Sequence, residues 1–234
     1  MSDTRLVVRD LGRISYAEAT QIQRETHARV LAQRDRPGAP GTPVTPVGEL
    51  LLLEHDPPVI TVSRRPDARA HLIATDDALA RAGVEVAATD RGGDITYHGP
   101  GQLVAYPIVD LKRLGWTLHA YMRTLESCVI RACAGWGLEA RRDEGATGVW
   151  IGEGDAGAKV CALGVRVQRW VTMHGLALNV TTNLEHFGLI VPCGLAGRGV
   201  TSLQQALGPA CPSMDEAKGA IERELAASID GRAA

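Results

Sequence analysis

Residues 91–106 read RGGDITYHGPGQLVAY, and the rest of the chain is organised around them. Four glycines, Gly92, Gly93, Gly99 and Gly101, with Pro100, surround Asp94, Thr96, Tyr97 and His98, and the stretch then runs into the apolar segment 103–109. A shaped loop followed by a strand is predicted. Glycine lets the backbone take positive φ and approach a ligand closely, and consecutive N–H groups in such turns form a concavity suited to an anion or oxyanion. A structural hairpin turn is the alternative, since Gly-Pro-Gly is ordinary turn chemistry. An Arg, a Thr, a Tyr, a His and a Gln among four glycines are more polar equipment than a turn requires, which favours a site carried on a sheet.

Working outward toward the N-terminus, the pattern predicts a strand over 84–88, a short helix capped by Thr75 and ended by Gly83, and strands over 59–63 and 49–55 separated by Asp56-Pro57-Pro58. Before these, the prolines and glycines of 37–48 exclude both helix and ladder and predict a surface loop. Ser15-Tyr16-Ala17-Glu18 is a capping box opening an amphipathic helix with Tyr16, Ala19, Ile22, Thr26 and Val30 on one stripe, preceded by a short strand over 5–10. Toward the C-terminus, Thr117 opens a helix with a core stripe of Leu118, Tyr121, Leu125 and Val129. Strands over 148–151, 159–168 and 172–180 follow as an antiparallel meander, with a tight turn at Arg169-Trp170. The remainder is loop over 181–199, then capping boxes at Thr201–Gln204 and Ser213–Glu216 that start two more helices. Runs of strands without strict βαβ alternation give an α/β chain of the α+β type, a sandwich of mixed sheets flanked by helices on one side. The expected organisation is a single domain over 1–234.

With 234 residues, 45% hydrophobic content and a net charge of -2, the chain is long enough for one well-filled core. The near-neutral balance argues against a nucleic-acid or membrane-surface partner, each of which calls for clustered basic charge. No basic and apolar leader opens the sequence and no run of about 20 apolar residues occurs, so a cytoplasmic location is expected. The odd set Cys128, Cys133, Cys161, Cys193 and Cys211 contains no C-x-x-C pair and suggests free thiols. The seven histidines offer no metal-ligand spacing, so no metal and no cofactor are expected.

Cys128, Cys133 and Cys161 fall within apolar helix or strand, where a thiol acts as a small hydrophobe, and Cys211 lies among prolines. Cys193 stands apart in LIVPCG (189–194), presented on a glycine-flexed stretch as a candidate nucleophile or as a half-buried loop thiol. A nucleophilic thiol needs a group that generates the thiolate. Lys159, His98 and His174 are the candidates. Lys159 begins an apolar strand, so its ammonium is expected to be partly desolvated with a lowered pKa, or else to point to water at the strand end.

The run R-G-G-x-x-T-Y-H-x-x-G-Q-L-x-x-Y resembles the signature of the octanoyltransferases of lipoate biosynthesis, relatives of lipoate ligases and biotin protein ligases. Further segments are similar: GAKVCALGV (157–165), HGLALNV (174–180) and Pro192-Cys193-Gly194. The resemblance implies a biotin/lipoate protein ligase-like catalytic domain. It implies Cys193 as nucleophile and Lys159 as its acid/base partner. It implies an acyl pocket lined by Arg91, Gly92, Gly93, Asp94, Ile95, Thr96, Tyr97 and His98, with Ala162, Leu163 and Gly164 and with Gly175, Leu176 and Ala177. The reaction implied is octanoyl transfer from octanoyl-acyl carrier protein to a lysine of lipoyl domains, those of 2-oxoacid dehydrogenases and of the glycine cleavage H protein. The rival readings are an ATP-dependent lipoate or octanoate ligase of the same fold, a non-catalytic carrier-binding module, and a Cys-His amidase using His98 or His174. An acidic carrier would dock on basic residues, with Arg64, Arg65, Arg69, Arg141 and Arg142 as candidates.

Overall fold

Leu50 to Leu53 are four consecutive leucines with at most 2% exposure, and a strand buried on both faces requires cover from both sides. The computed structural model describes residues 6–34, 45–154, 157–191 and 198–231. In it these leucines form the middle of β2 (Gly48–His55). It pairs parallel with β1 (Leu6–Ile14) and antiparallel with β6 (Gln102–Val109). Beyond β6 come β10 (Val171–Asn179), β9 (Ala158–Gln168), β8 (Val149–Ile151) and β7 (Arg141–Arg142), all antiparallel, while β11 (Gly199–Val200) pairs parallel with β9. A smaller sheet orders β4 (Glu85–Ala88), β3 (Val59–Val62) and β5 (Ile95–His98).

Leu50 and Leu52 pack with α4 (Leu118–Gly135) and α6 (Met214–Ile229), whereas Leu51 and Leu53 pack with α1 (Tyr16–Arg34). Helices therefore cover both faces of the large sheet, which corrects the expectation of one-sided cover. Short helices α2 (Asp76–Ala82), α3 (Leu111–Leu114) and α5 (Leu203–Leu207) punctuate the chain. The capping boxes at Ser15 and Ser213 form as read, and Thr75 caps α2 with Gly83 in the left-handed conformation behind it. The cap of α5 is Ser202, whose hydroxyl accepts from the Gln205 N–H, rather than Thr201. The meander of β8, β9 and β10 forms with its turn at Arg169 and Trp170, both at positive φ.

Two further expectations change. Residues 95–98 are a strand, not loop: Ile95 and Tyr97 turn into an apolar cluster with Ile60, Phe187 and Ile190, and Thr96 and His98 turn the other way. The expected loop 181–199 contains a 3-10 helix at Leu184–Leu189 that supplies Phe187 to this cluster. Of the proline-rich loop expected at 37–48, residues 37–44 lie outside the described residues and Gly48 already belongs to β2; residues 192–197 with Cys193 lie outside the described residues too. Among the described residues no helix is long and apolar enough to cross a membrane.

Candidate active site

The cavity is built on a floor of small residues. Ala162 lies opposite Ala177, and Gly164 opposite Gly175, in the β9–β10 ladder, so two cross-strand pairs leave a trough where larger side chains would stand. Its volume is about 530 Å³, within the range of small-molecule sites. Residues 91–93 roof one end. The Gly92 N–H donates to Val165 O at 2.9 Å, and the Arg91 guanidinium clamps the loop to β3 by donating to Thr61 O at 3.1 Å and Thr61 Oγ1 at 2.9 Å.

This contact demands glycine at 164. A Cβ there would stand 2.8 Å from Gly92 O and 3.0 Å from Arg91 Cδ. Gly164→Ala is expected to displace the loop and cost about 1–3 kcal/mol; urea unfolding checks it, and an unchanged midpoint would contradict the packing described.

Of the residues named from sequence, Arg91, Gly92, Gly93, Asp94, Thr96 and His98 line the cavity, as do 162–164, 175–177 and Lys159. Ile95 and Tyr97 do not: they face the opposite side of β5, where Tyr97 Oη lies 2.9 Å from His186 Nδ1. Burial pushes the Tyr97 hydroxyl up to about 12. Sequence reasoning missed Tyr16 at the start of α1, Tyr106 on β6, and Leu118 and Met122 on α4, all lining the cavity. Leu118, read as core, is 47% exposed at the cavity wall.

Behind the cavity, buried His55 links the lining rings of Tyr16, His98 and Tyr106, and Tyr106 meets His174. His55 lies 5.4 Å from Tyr16, 5.5 Å from His98 and 6.1 Å from Tyr106, and Tyr106 lies 5.9 Å from His174. Partners fix the tautomers. Gln102 Nε2 donates to Asn179 Oδ1 at 2.9 Å and to Tyr97 O at 3.2 Å, which leaves its Oε1 to accept from His98 Nδ1–H at 2.7 Å. Burial, aided by the nearby His55, pushes His98 well below the usual imidazole range, so it is neutral with a bare Nε2. His174 takes a left-handed backbone, φ 59, within a central strand. Its N–H donates to Gln23 Oε1 at 2.7 Å and its Nε2–H to Asp90 Oδ1 at 2.8 Å. Burial lowers the His174 pKa against the opposing pull of Asp90. Asp90, also paired with Arg166, stays below the usual carboxylate range although burial opposes this.

His55 ties the site to acid stability. Burial pushes it from 6.5 down to about 4, so between those values the unfolded chain binds a proton that the folded chain does not. The stabilisation is fully present above pH 6.5 and lost toward pH 4, about 3 kcal/mol for this group, with His98 acting in the same direction. Urea unfolding at pH 7.5, 5.5 and 4.5 should trace that fall; a flat profile would contradict neutral burial of these rings.

At the other end stands Lys159. Its backbone pairs with Trp150 on β8 and with Val200 on β11, and its carbonyl accepts from the Thr201 N–H at 3.0 Å. Its Nζ lies 4.8 Å from the Trp150 ring centroid, and the Arg198 guanidinium carbon 3.8 Å from the same centroid. Gly148 makes room for the lysine stem: a Cβ there would meet Cys161 O at 2.7 Å and Lys159 Cε at 3.1 Å. The lysine thus lines the cavity instead of pointing from a strand end into water. Among the candidate docking arginines, Arg142 is engaged by the buried Glu126 at 3.0 Å and Arg141 donates to Gly152 O at 2.6 Å. No cluster of three metal-ligating side chains occurs among the described residues.

The family model described as the lipoyl protein ligase A/B catalytic domain matches residues 15–226. The chain is 46% identical over 223 residues to an octanoyltransferase of Solibacter usitatus, covering 95% of this chain and 92% of that one. It is 41% identical over 222 residues to an octanoyltransferase of Flavobacterium johnsoniae, covering 94% and 95%. Among solved structures it resembles the bipartite lipoate protein ligase of Thermoplasma acidophilum, with TM-score 0.64 and 17% identity over 97% of this chain and 83% of that one. It also resembles a lipoate-protein ligase A bound with ATP, with TM-score 0.66 and 16% identity over 97% and 85%. At these identities the structural likeness concerns the fold alone.

Proposed function

The chain belongs to the lipoyl protein ligase A/B catalytic-domain family and is an acyltransferase of the octanoyltransferase type, acting in lipoate biosynthesis, and on that premise we propose that it moves an octanoyl group from octanoyl-acyl carrier protein to a lysine of a lipoyl domain through a thioester on Cys193. The Lys159 amine takes the Cys193 proton, and sulfur attacks the thioester carbonyl of the donor. As the new C–S bond forms, the carrier thiolate leaves with the proton held by Lys159. The acceptor amine then attacks the enzyme thioester. A C–N bond replaces the C–S bond, Lys159 relays the amine proton to the departing Cys193 thiolate, and both residues return to their starting states.

The observation that carries this reading is the placement of Lys159 on the wall of a trough floored by Ala162, Gly164, Gly175 and Ala177. These small residues leave room over the floor for a saturated acyl chain. Elimination among the thiols supports the nucleophile. Burial pushes Cys128 up to about 11, Cys133 up to about 12 and Cys161 further, and raises Cys211 as well, so none of the four is poised to form a thiolate. Chain connectivity supports it too: Val191, two residues before Cys193, donates to His71 O at 2.8 Å, and Val200 pairs with Lys159.

The test is the mass of an apo lipoyl domain after incubation with the enzyme and octanoyl-acyl carrier protein in the absence of ATP. Octanoylation under these conditions is expected. Octanoylation only with free octanoate and ATP would instead establish the ligase reading.

A further inference from the structure

Arg65, Arg91 and Lys159 bring positive charge to the cavity wall, and among the described lining residues Asp94 is the one carboxylate. Asp94 is 5% exposed. Its Oδ2 stands 2.6 Å from His71 Nδ1, an ion-pair distance without hydrogen-bond geometry, while its Oδ1 is buried and meets no hydrogen-bond donor among the described residues. A buried carboxylate oxygen without a donor is costly, so the arrangement is complete only when a donor joins it. The strand that follows Asp94 leads toward the reacting end. Thr96, two residues on, shares a narrow cleft with Lys159, and His71, its neighbour, holds Val191.

A saturated acyl chain offers no donor. The acceptor does: a lysine side chain arrives as an ammonium, with an ordinary pKa of about 10.4, and must approach a cavity whose other charged groups share its sign. We propose that Asp94, beside His71, receives the ammonium of the incoming lysine and holds it beside the acyl-enzyme until the neutral Lys159 amine takes one proton and passes it to water, which frees the amine to attack before its second proton goes to the departing Cys193 thiolate. This rests on the transfer reading above and assigns Asp94 to the amine half of the reaction, not to the acyl half. Its counter-charge offsets the repulsion from Arg65 and Arg91, and with His71 beside Oδ2 the buried Oδ1 is the oxygen left to accept from the guest.

Intact-protein mass spectrometry separates the half-reactions. Wild type and Asp94→Asn are first acylated with octanoyl-acyl carrier protein, then mixed with apo lipoyl domain or with hydroxylamine, a nucleophile uncharged at neutral pH. Asp94→Asn should slow discharge to the lipoyl domain about 10- to 100-fold, as a raised KM for the acceptor. It should slow acylation and discharge to hydroxylamine far less. Discharge to the lipoyl domain at the wild-type rate, or equal slowing of all three reactions, would overturn the proposal. Failure of the wild type to acylate at all would overturn the thioester reading itself, and the proposal with it.

A second measurement needs no variant. Nα-acetyl-Nε-trimethyllysine, a permanent cation without a nucleophilic lone pair, should compete with the lipoyl domain for the wild-type acyl-enzyme, whereas neutral Nα-acetyl-norleucine should not. Equal competition by the two, or none by the cation, would overturn the proposal even if Asp94→Asn did not fold.

Discussion

Replacing Cys193 with alanine should reduce octanoyl transfer on the order of a thousandfold or more while leaving the melting transition of the protein in place. The expectation follows from the other four thiols. Cys128, Cys133 and Cys161 are buried in the main core cluster with their pKa values pushed upward, and Cys211 is raised too, so none can take over the covalent step. Serine at 193 should be nearly as inactive, because a hydroxyl beside the same base is a far weaker nucleophile at neutral pH. Transfer retained above a tenth of wild type in Cys193→Ala would remove the thioester mechanism.

Lys159→Met should lower turnover by roughly 10²- to 10⁴-fold, with a particular pH signature. Once the base is gone, acylation depends on spontaneous ionisation of a thiol with an ordinary pKa near 8.5, so the residual rate should climb about tenfold per pH unit up to that region. The methionine preserves the length of the stem threaded past Gly148 and loses the charge over Trp150, a contact worth about 0.5–1 kcal/mol. A modest fall in stability accompanied by a large fall in rate is therefore expected. A pH-independent residual rate, or activity within a few-fold of wild type, would show that another group generates the thiolate.

What the sequence could and could not convey follows from the range of each interaction. Caps are local, so Ser15, Thr75, Thr117 and Ser213 were legible as helix starts. The two-residue turn at Arg169-Trp170 was likewise encoded by its neighbours. At 201–204 two adjacent cap residues competed, and Ser202, not Thr201, took the role. The strand at 95–98 was present as an alternation of Ile95 and Tyr97 with Thr96 and His98, but flanking glycines masked it.

Both-sided helix cover was written in the leucine run of β2. The choice of α1 for one face and α4 with α6 for the other is a matter of tertiary packing that no local pattern carries. The cavity divides in the same way. Its floor pairs are one ladder's register and were named through the resemblance, whereas Tyr16, Leu118 and Met122 reach it from helices distant in sequence. The left-handed His174 owes its conformation to Gln23 and Asp90, partners 151 and 84 residues away.

The central claim is the acyl-enzyme. Enzyme mixed with octanoyl-acyl carrier protein and no ATP, followed by intact mass and peptide mapping, should carry one octanoyl group on Cys193, and the adduct should vanish when apo lipoyl domain is added. A wild-type enzyme that octanoylates the lipoyl domain from this donor while never carrying the adduct, or carrying it on a residue other than Cys193, would contradict the account.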